Sequence, residues 1–144
     1  MNNSGLPPDI VSDEFQNRKD SNPPSVLIID DQPENLAVIS EYLSDSGLTI
    51  LISQTGESGV ERAAYSKPDL ILLDILMPGI DGFETCRRLK SNDFTKEIPV
   101  IFMTALTDLV DKVKGFEVGG VDYVIKPVQQ EELLNRVKIH LKLR

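Results

Sequence analysis

Three aspartates stand directly after apolar runs of the sequence, where a carboxylate would be held at the mouth of a buried strand. Asp74 follows the run 70–73 and precedes a stretch rich in Pro and Gly, while Asp30 and Asp31 follow the run 26–29. Carboxylate oxygens are the hard ligands that Mg²⁺ prefers. The pattern indicates a divalent-metal site, although each aspartate taken alone could equally cap a helix or begin a turn.

The composition limits the class of protein. The chain has 144 residues and a formal net charge of −8, which fits one domain with a tail and argues against binding to the phosphate backbone of DNA or RNA. Its apolar runs are far shorter than the ~20 residues of a membrane span, and the N-terminus lacks the features of a secretory signal. The single cysteine, Cys86, permits no internal disulfide. We therefore expect a cytoplasmic protein with no direct nucleic-acid or membrane partner.

The chain divides into a tail and one domain. Residues 1–24 are rich in Asn, Ser, Pro and Asp and show no sustained period, which is typical of a flexible N-terminal tail or linker. From residue 25 to residue 144, five apolar runs with the length and branched side chains of strands alternate with segments of helical spacing. The expected strands are residues 26–29, 48–52, 70–73, 100–103 and 123–125.

Each of the five expected helices shows an apolar stripe. The stripes are Leu36, Ile39 and Leu43, ended by Gly47; Val60, Ala63 and Ala64, ended by Pro68; Phe83 and Cys86; Leu109, Val113 and Phe116; and Leu133, Val137 and Leu141. Strict alternation of strands and helices predicts an α/β protein with a parallel sheet covered on both faces. The near-continuous apolar character of the strands favours the same interpretation.

Five polar residues fall at the expected carboxyl ends of four different strands. They are Asp30, Asp31, Asp74, Thr104 and Lys126. In an open parallel sheet, function collects at the carboxyl ends of the strands, so this architecture would gather the five residues on one rim. An aspartate carboxylate can act as a nucleophile and become an aspartyl-phosphate, while a metal and a lysine neutralise the transferred charge. The hydroxyl of Thr104 could then bond a phosphoryl oxygen.

The sequence closely resembles a response-regulator receiver domain of two-component signalling, similar to the chemotaxis regulators. The resemblance covers about residues 25–144, and as a spaced set its motifs are highly specific. The matching segments are Leu27-Ile28-Ile29-Asp30-Asp31, Leu72-Leu73-Asp74-Ile75-Leu76-Met77-Pro78-Gly79-Ile80-Asp81-Gly82, Ile101-Phe102-Met103-Thr104-Ala105 and Asp122-Tyr123-Val124-Ile125-Lys126-Pro127. The resemblance implies a flavodoxin-like (βα)5 doubly wound sheet with strand order 2-1-3-4-5, the order found in the chemotaxis regulators of this family.

The resemblance also implies a phosphoacceptor site. Asp74 would take a phosphoryl group from a phosphohistidine on a sensor histidine kinase or a histidine phosphotransfer protein. Mg²⁺, or Mn²⁺ in its place, would be held by Asp31, Asp74 and the backbone carbonyl of Leu76, with Asp30 acting through a water. Lys126 would pair with the phosphoryl group. Activity would be confined to self-catalysed phosphoryl transfer and slow autodephosphorylation, so the chain is not expected to be an enzyme.

A switch is implied at two further positions. Thr104 would move to bond the phosphoryl group, and Tyr123 would turn inward into the space that Thr104 leaves. These movements would bias a two-state surface formed by helix 4, strand 5 and helix 5. A cis peptide bond between Lys126 and Pro127 is common in the family and is expected here.

Two apolar residues bear on the lifetime of the phosphorylated state. In this family the residues two positions beyond the phosphoacceptor and two beyond the switch threonine tune hydrolysis, and here they are Leu76 and Leu106. Neither side chain can hydrogen-bond an attacking water, and both could shield the phosphoryl group. We expect slow self-dephosphorylation.

The last expected helix carries a second apolar stripe. At about 100° per residue, Ile139 and Leu143 fall opposite the face that suits the sheet. Such a stripe favours a homodimer or a downstream domain, and a frayed terminus with two incidental apolar residues is the alternative. The chain could therefore be the receiver of a hybrid histidine kinase or of a multidomain regulator in a phosphorelay.

Two other classes of protein fit the sequence less well. Aspartate-nucleophile phosphohydrolases resemble this fold but usually carry a second aspartate two residues after the nucleophile, where this chain has Leu76. A flavodoxin-like electron carrier would need a phosphate-cradling loop after the first strand, where Asp30 and Asp31 would repel a phosphate.

Overall fold

The computed structural model describes residues 23–105 and 109–143, with the side chains of residues 109, 110 and 143 excepted. Five strands alternate with five α-helices along the chain, and a short 3₁₀ turn, Ser44–Ser46, follows the first helix. The strands are β1 (Ser25–Ile29), β2 (Thr49–Ser53), β3 (Leu70–Asp74), β4 (Val100–Thr104) and β5 (Asp122–Ile125). The helices are α1 (Pro33–Leu43), α2 (Gly56–Ser66), α3 (Gly82–Lys90), α4 (Leu109–Glu117) and α5 (Gln130–Leu143).

The strands form one parallel sheet in the order β2-β1-β3-β4-β5. Its register places Ile29 of β1 beside both Ser53 of β2 and Leu73 of β3, while Thr104 of β4 lies beside Ile125 of β5. The carboxyl ends of all five strands therefore lie on one rim of the sheet. This confirms the predicted fold class and strand order.

The sheet separates two apolar layers, because successive side chains of a strand point to opposite faces. One layer packs on α1 and α5, and its buried members are Val26, Ile28, Leu36, Ile39, Leu43, Leu70, Leu72, Ile101, Met103, Val124, Leu133, Val137 and Leu141. The other packs on α2 and α3, and its buried members are Leu27, Ile29, Ala63, Ile71, Leu73, Ile75, Met77, Phe83, Cys86, Leu89, Ile98, Val100 and Phe102. Burial on both faces explains the near-continuous apolar runs of the central strands.

Local signals set the ends of several helices. The hydroxyl of Thr55 accepts a hydrogen bond from the backbone N–H of Ser58 at 3.0 Å, and the carboxylate of Asp81 accepts one from Glu84 at 2.9 Å. Both are side-chain caps at helix N-termini, at α2 and α3. Gly47 ends the 3₁₀ turn after α1 with φ of 81°, a left-handed conformation that suits glycine.

Helix α4 is present as predicted, but its apolar stripe does not mark its buried face. Val113 and Phe116 are about half exposed, and Gly115 is the residue of α4 that lies against the ring of Phe102. A Cβ on Gly115 would already stand 3.2 Å from that ring. The close approach of the helix to β4 therefore depends on a residue without a side chain, which an apolar stripe cannot indicate.

One buried hydroxyl of the sheet lacks a hydrogen-bond partner. The Oγ of Ser53 is buried and unpaired, whereas the buried Oγ1 of Thr95 donates to the carbonyl of Leu89 at 2.6 Å. An unsatisfied buried hydroxyl costs roughly 1–3 kcal/mol, and a satisfied one contributes about 1 kcal/mol. The two hydroxyls should therefore respond in opposite ways to removal.

We expect Ser53→Ala to raise the free energy of unfolding by roughly 1 kcal/mol, because it removes an unsatisfied buried group. The matched substitution Thr95→Val should lower the same quantity by about 1 kcal/mol or more, because it leaves a carbonyl without its donor. Urea denaturation followed by circular dichroism measures both. A loss of stability in Ser53→Ala would contradict the account of this site.

Candidate functional site

Adjacent strands bring the three aspartates of the predicted metal site together. β1 pairs with β3, so Asp30, which follows Ile29, lies beside the end of β3 at Asp74. One carboxylate oxygen from each of Asp30, Asp31 and Asp74 lies within 4.8 Å of the others. Asp30 and Asp74 are buried and Asp31 is partly exposed, so the group forms a pocket that opens to solvent on one side.

Lys126 lies between two of these carboxylates. Its Nζ is 3.0 Å from Oδ1 of Asp74 and 3.2 Å from Oδ2 of Asp30. The backbone N–H of Lys126 donates to the carbonyl of Thr104 at 2.8 Å, which fixes the start of the loop after β5 to the end of β4. The bond from Lys126 to Pro127 is cis, as the resemblance implied.

The electrostatics of the pocket set the charges of its members. Burial raises the pKa of Asp74 above the ordinary carboxyl value, and the neighbouring charges of Asp30 and Asp31 add to this effect, although Lys126 opposes it. Burial would lower the pKa of Lys126, but its hydrogen bond and attraction to Asp74, with a further contribution from Asp30, raise the pKa above its usual value. Lys126 is therefore a fixed cation at neutral pH.

The first acid of the pair is held by backbone groups. Oδ1 of Asp30 accepts from the N–H of Gln32, the residue that precedes α1, at 2.9 Å. The N–H of Asp30 in turn donates to the carbonyl of Ser53 at 3.1 Å. Both oxygens of the Asp30 carboxylate therefore accept hydrogen bonds, Oδ1 from the N–H of Gln32 and Oδ2 from Nζ of Lys126. Asp30 thus fixes the turn before α1 and also belongs to the acidic pocket, but it is not a cap of α1, which begins at Pro33 without a side-chain cap.

The loop after Asp74 depends on glycine at position 82. The N–H of Gly82 donates to the carbonyl of Ile75 at 2.7 Å, and a Cβ at this position would overlap the carbonyl oxygen of Asp74. The start of α3 therefore sits directly against the backbone of the phosphoacceptor candidate. Leu76, two residues beyond Asp74 in this loop, is 62% exposed.

Thr104 and Tyr123 line one small cavity behind the pocket. Thr104 is buried at the end of β4, and Tyr123 of β5 packs edge-on against Phe116 with ring centroids 6.1 Å apart. The Nζ of Lys112 lies 4.7 Å from the centre of the Tyr123 ring. The cavity has a volume of about 10 Å³, which is room for about one water and far too little for a phenol ring.

The structure does not bring every residue singled out in the sequence into the pocket. Leu106 lies outside the described residues, as does the side chain of Leu143. Ile139 is half exposed on α5, on the face predicted to meet solvent or a partner. Tyr123 lies near Thr104 rather than against the acids.

Sequence reasoning missed the backbone N–H of Gln32 and the contact of Gly82 with Asp74. Both are main-chain contacts, for which the sequence carries little signal. The Nε2 of His140 also lies 2.9 Å from Oδ2 of Asp122, a pairing that the sequence analysis did not predict. A histidine alone in a helix gives no indication of which carboxylate it will meet.

The donor set fits a hard divalent cation. Three carboxylates with oxygens within 4.8 Å of one another repel each other, and a divalent cation between them would relieve that repulsion. The acidic cluster is typical of a receiver Mg²⁺ site.

Comparison with known proteins places the chain in a family. Residues 26–138 match the response regulator receiver domain family. The chain is 40% identical over 119 residues to the DNA-binding dual master transcriptional regulator RpaA of Synechocystis sp., a match that covers 83% of this chain and 49% of that protein.

Two solved structures share its fold. The chemotaxis protein CheY4 of Vibrio cholerae has a TM-score of 0.77 at 27% identity, over 81% of this chain and 97% of that one. The beryllofluoride-activated DrrB receiver domain has a TM-score of 0.74 at 35% identity, and the match covers 82% of this chain and 97% of that one.

The chain belongs to the response regulator receiver domain family. Its pocket of Asp30, Asp31 and Asp74 is consistent with a phosphoacceptor signalling module rather than a conventional enzyme, and receiver domains interact with histidine kinases. The chain spans about half the length of the first curated relatives that it matches. Within the described residues, no helix combines the length and apolar character needed to cross a membrane.

The raised pKa of Asp74 predicts that its ionised form weakens the metal-free fold. Because the pKa is higher in the folded protein than in the unfolded chain, stability falls as pH rises from the ordinary value of 3.8 through the raised one. In EDTA at pH 7, Asp74→Asn should therefore increase the free energy of unfolding by on the order of 1 kcal/mol. Lys126 keeps Asp30 as its partner in this variant.

The advantage of Asp74→Asn should shrink as the pH is lowered towards 3.8, since Asp74 of the wild type then becomes protonated. Urea denaturation at a series of pH values in EDTA measures the difference. Asp93→Asn, which alters a highly exposed carboxylate, is the control and should change stability little. An Asp74→Asn variant that is less stable than the wild type at pH 7 would contradict the electrostatic account.

Proposed function

We propose that the chain is the phosphoacceptor receiver of a two-component system. Asp74 takes a phosphoryl group from a phosphohistidine of a sensor histidine kinase or a histidine phosphotransfer protein. The observation that carries the proposal is the 3.0 Å contact of Asp74 with Lys126 inside a pocket shared with Asp30 and Asp31. A nucleophilic carboxylate, a fixed cation and a set of metal-binding acids are the parts that this chemistry requires.

The transfer exchanges one phosphorus bond for another. A carboxylate oxygen of Asp74 attacks the phosphorus, the bond from phosphorus to the donor imidazole nitrogen breaks, and the imidazole leaves with the electron pair and regains a proton. Asp74 must be ionised to attack, which the nearby ammonium of Lys126 favours. Lys126 then offsets the charge of the phosphoryl oxygens, as the resemblance to the family implies.

Mg²⁺, with Mn²⁺ as a substitute, is the cofactor of this proposal. Asp31, Asp74 and the backbone carbonyl of Leu76 would hold it, and Asp30 would act through a water. When bound, the cation supplies neutralisation of the negative charge that gathers in the pocket during transfer. The separation of the three carboxylates supports this assignment.

The packing around Thr104 supports the proposed switch. The cavity that Thr104 and Tyr123 both line is too small for the aromatic ring, and movement of Thr104 towards the phosphoryl group would enlarge it. The positions of the two residues are thereby coupled. This coupling supports a two-state surface of α4, β5 and α5, whose equilibrium depends on the phosphorylation of Asp74.

The same surface is the proposed site for an output partner. It carries half-exposed apolar side chains, namely Val113, Phe116, Val121 and Ile139. A second copy of the chain or a downstream domain would cover them. Because the matched region makes up only about half of the first curated relatives, we place the receiver in a cytoplasmic regulator or in a hybrid kinase of a phosphorelay.

The test of the proposed function is the intact mass of the chain after incubation with acetyl phosphate and Mg²⁺. We expect the gain of one phosphoryl group in the wild type and no gain in Asp74→Asn or in the presence of EDTA. Asp93→Asn should be phosphorylated like the wild type, since it changes an exposed carboxylate outside the pocket. A phosphoryl group that persists in Asp74→Asn would contradict the assignment of the phosphoacceptor.

The apolar side chain of Leu76 predicts a long-lived phosphorylated state. Replacement of this exposed residue by Asn should speed the decay of the phosphorylated chain by roughly threefold or more, because an amide can orient an attacking water. The same change is expected for a polar substitution of Leu106. Loss of the phosphorylated mass over time measures the rate, with Tyr65→Asn, a change of a highly exposed residue on α2, as the control. Equal rates in wild type and Leu76→Asn would rule out this role.

A further inference from the structure

The carboxylate of Asp122, the first residue of β5, joins helix α5 to the backbone of Tyr123. Its Oδ1 accepts from the N–H of Tyr123 at 2.8 Å and from Nη1 of Arg136 at 2.7 Å. Its Oδ2 lies 2.9 Å from Nε2 of His140. We call Asp122, Arg136 and His140 the β5–α5 tie. None of its members belongs to the acidic pocket.

The tie holds an ionised carboxylate. Burial raises the pKa of Asp122, but the hydrogen bonds from His140 and Arg136 and from the N–H of Tyr123 outweigh this effect and place the pKa below the ordinary value. An ionised carboxylate only accepts hydrogen bonds, so the His140 ring presents a proton on Nε2 to Oδ2. Asp122 is thereby bonded through both oxygens, and its position is well determined.

Asp122 also lies in the wall of the cavity that the switch uses. Asp122, Tyr123, Thr104 and Phe116 all line that cavity. Because the Tyr123 N–H is bonded to the side chain of the preceding residue, the backbone of the ring-bearing residue is fixed by the tie. The ring in this position packs on Phe116. In the arrangement where the Tyr123 ring lies against α4, the tie therefore fixes both the backbone that carries the ring and one wall of the cavity.

We propose that Asp122 is a positioning residue for Tyr123, and that the β5–α5 tie couples the phosphoacceptor pocket to the last turns of α5. The inference rests on the proposed function of Asp74. Since the tie favours the arrangement with the ring against Phe116, loosening it favours the phosphorylated arrangement. By linkage, occupation of the pocket in turn alters the contact of His140 with Asp122.

A purely structural ion pair would behave differently. Partly exposed pairs of this kind contribute little to stability, and loss of one would lower stability without changing the affinity of a distant pocket. The affinity of the pocket for a phosphoryl mimic is therefore the readout that distinguishes the two roles. Beryllofluoride with Mg²⁺ serves as the mimic.

The experiment uses the full chain and its single histidine, whose ring Cε1–H gives one signal that can be assigned without ambiguity in an NMR spectrum. During titration with beryllofluoride and Mg²⁺, the His140 ring signal should move with the same midpoint as the amide signal of Lys126. His140→Ala should bind the mimic roughly threefold more tightly than the wild type. His140→Gln, whose amide can still donate to Asp122, should bind the mimic with the same affinity as the wild type. Lys138→Ala, an exposed change on α5, is the matched control.

The outcomes separate the inference from the proposed function. A Lys126 signal that moves while the His140 signal stays fixed would overturn the tie and leave the phosphoacceptor site intact. Unchanged affinity in His140→Ala would also overturn the tie. Absence of any change at Lys126 would overturn the proposed function and the inference together. Thermal denaturation of each variant shows that the fold is retained.

Discussion

The contact of one lysine with two buried carboxylates is the interaction on which the site depends. Lys126 follows the edge strand β5, whereas Asp30 and Asp74 end two central strands, and the ammonium lies within 3.2 Å of both acids. Two buried carboxylates without this cation would carry a large desolvation cost. Because β5 is the edge strand of the sheet, it is the long side chain of Lys126 that reaches the acids at the ends of β1 and β3. The rest of the pocket is arranged around this pair of contacts.

The ionised pocket lowers the stability of the metal-free fold, and the same electrostatics would favour a bound cation. Burial and neighbouring acids raise the pKa of Asp74, so the metal-free pocket favours protonation of the group that must act as a nucleophile. A bound cation relieves the same repulsion and leaves the carboxylate ionised. The acidic pocket thus suits a divalent cation, and the small cavity that Thr104 lines is also lined by Tyr123.

The sequence was sufficient for the fold and for the position of the acids, because each acid ends an apolar run and parallel strands place their carboxyl ends on one rim. It could not predict that Lys126 contacts Asp30 as well as Asp74, since two side-chain rotamers and the path of a loop decide that geometry. Apolar spacing also could not predict the buried face of α4, because the residue of that face that lies against Phe102 is Gly115, which has no side chain. The pairing of His140 with Asp122 depends on the register of α5 against β5, which is set by packing in three dimensions.

The most direct test of the account is to find which residue carries the phosphoryl group. After incubation with acetyl phosphate and Mg²⁺, borohydride reduces an acyl phosphate to the alcohol, and peptide mass spectrometry then locates the reduced side chain. The account predicts homoserine at position 74, with Asp30, Asp31 and the exposed Asp93 unchanged. Reduction at Asp30 or Asp31, or at an exposed aspartate in place of Asp74, would contradict it.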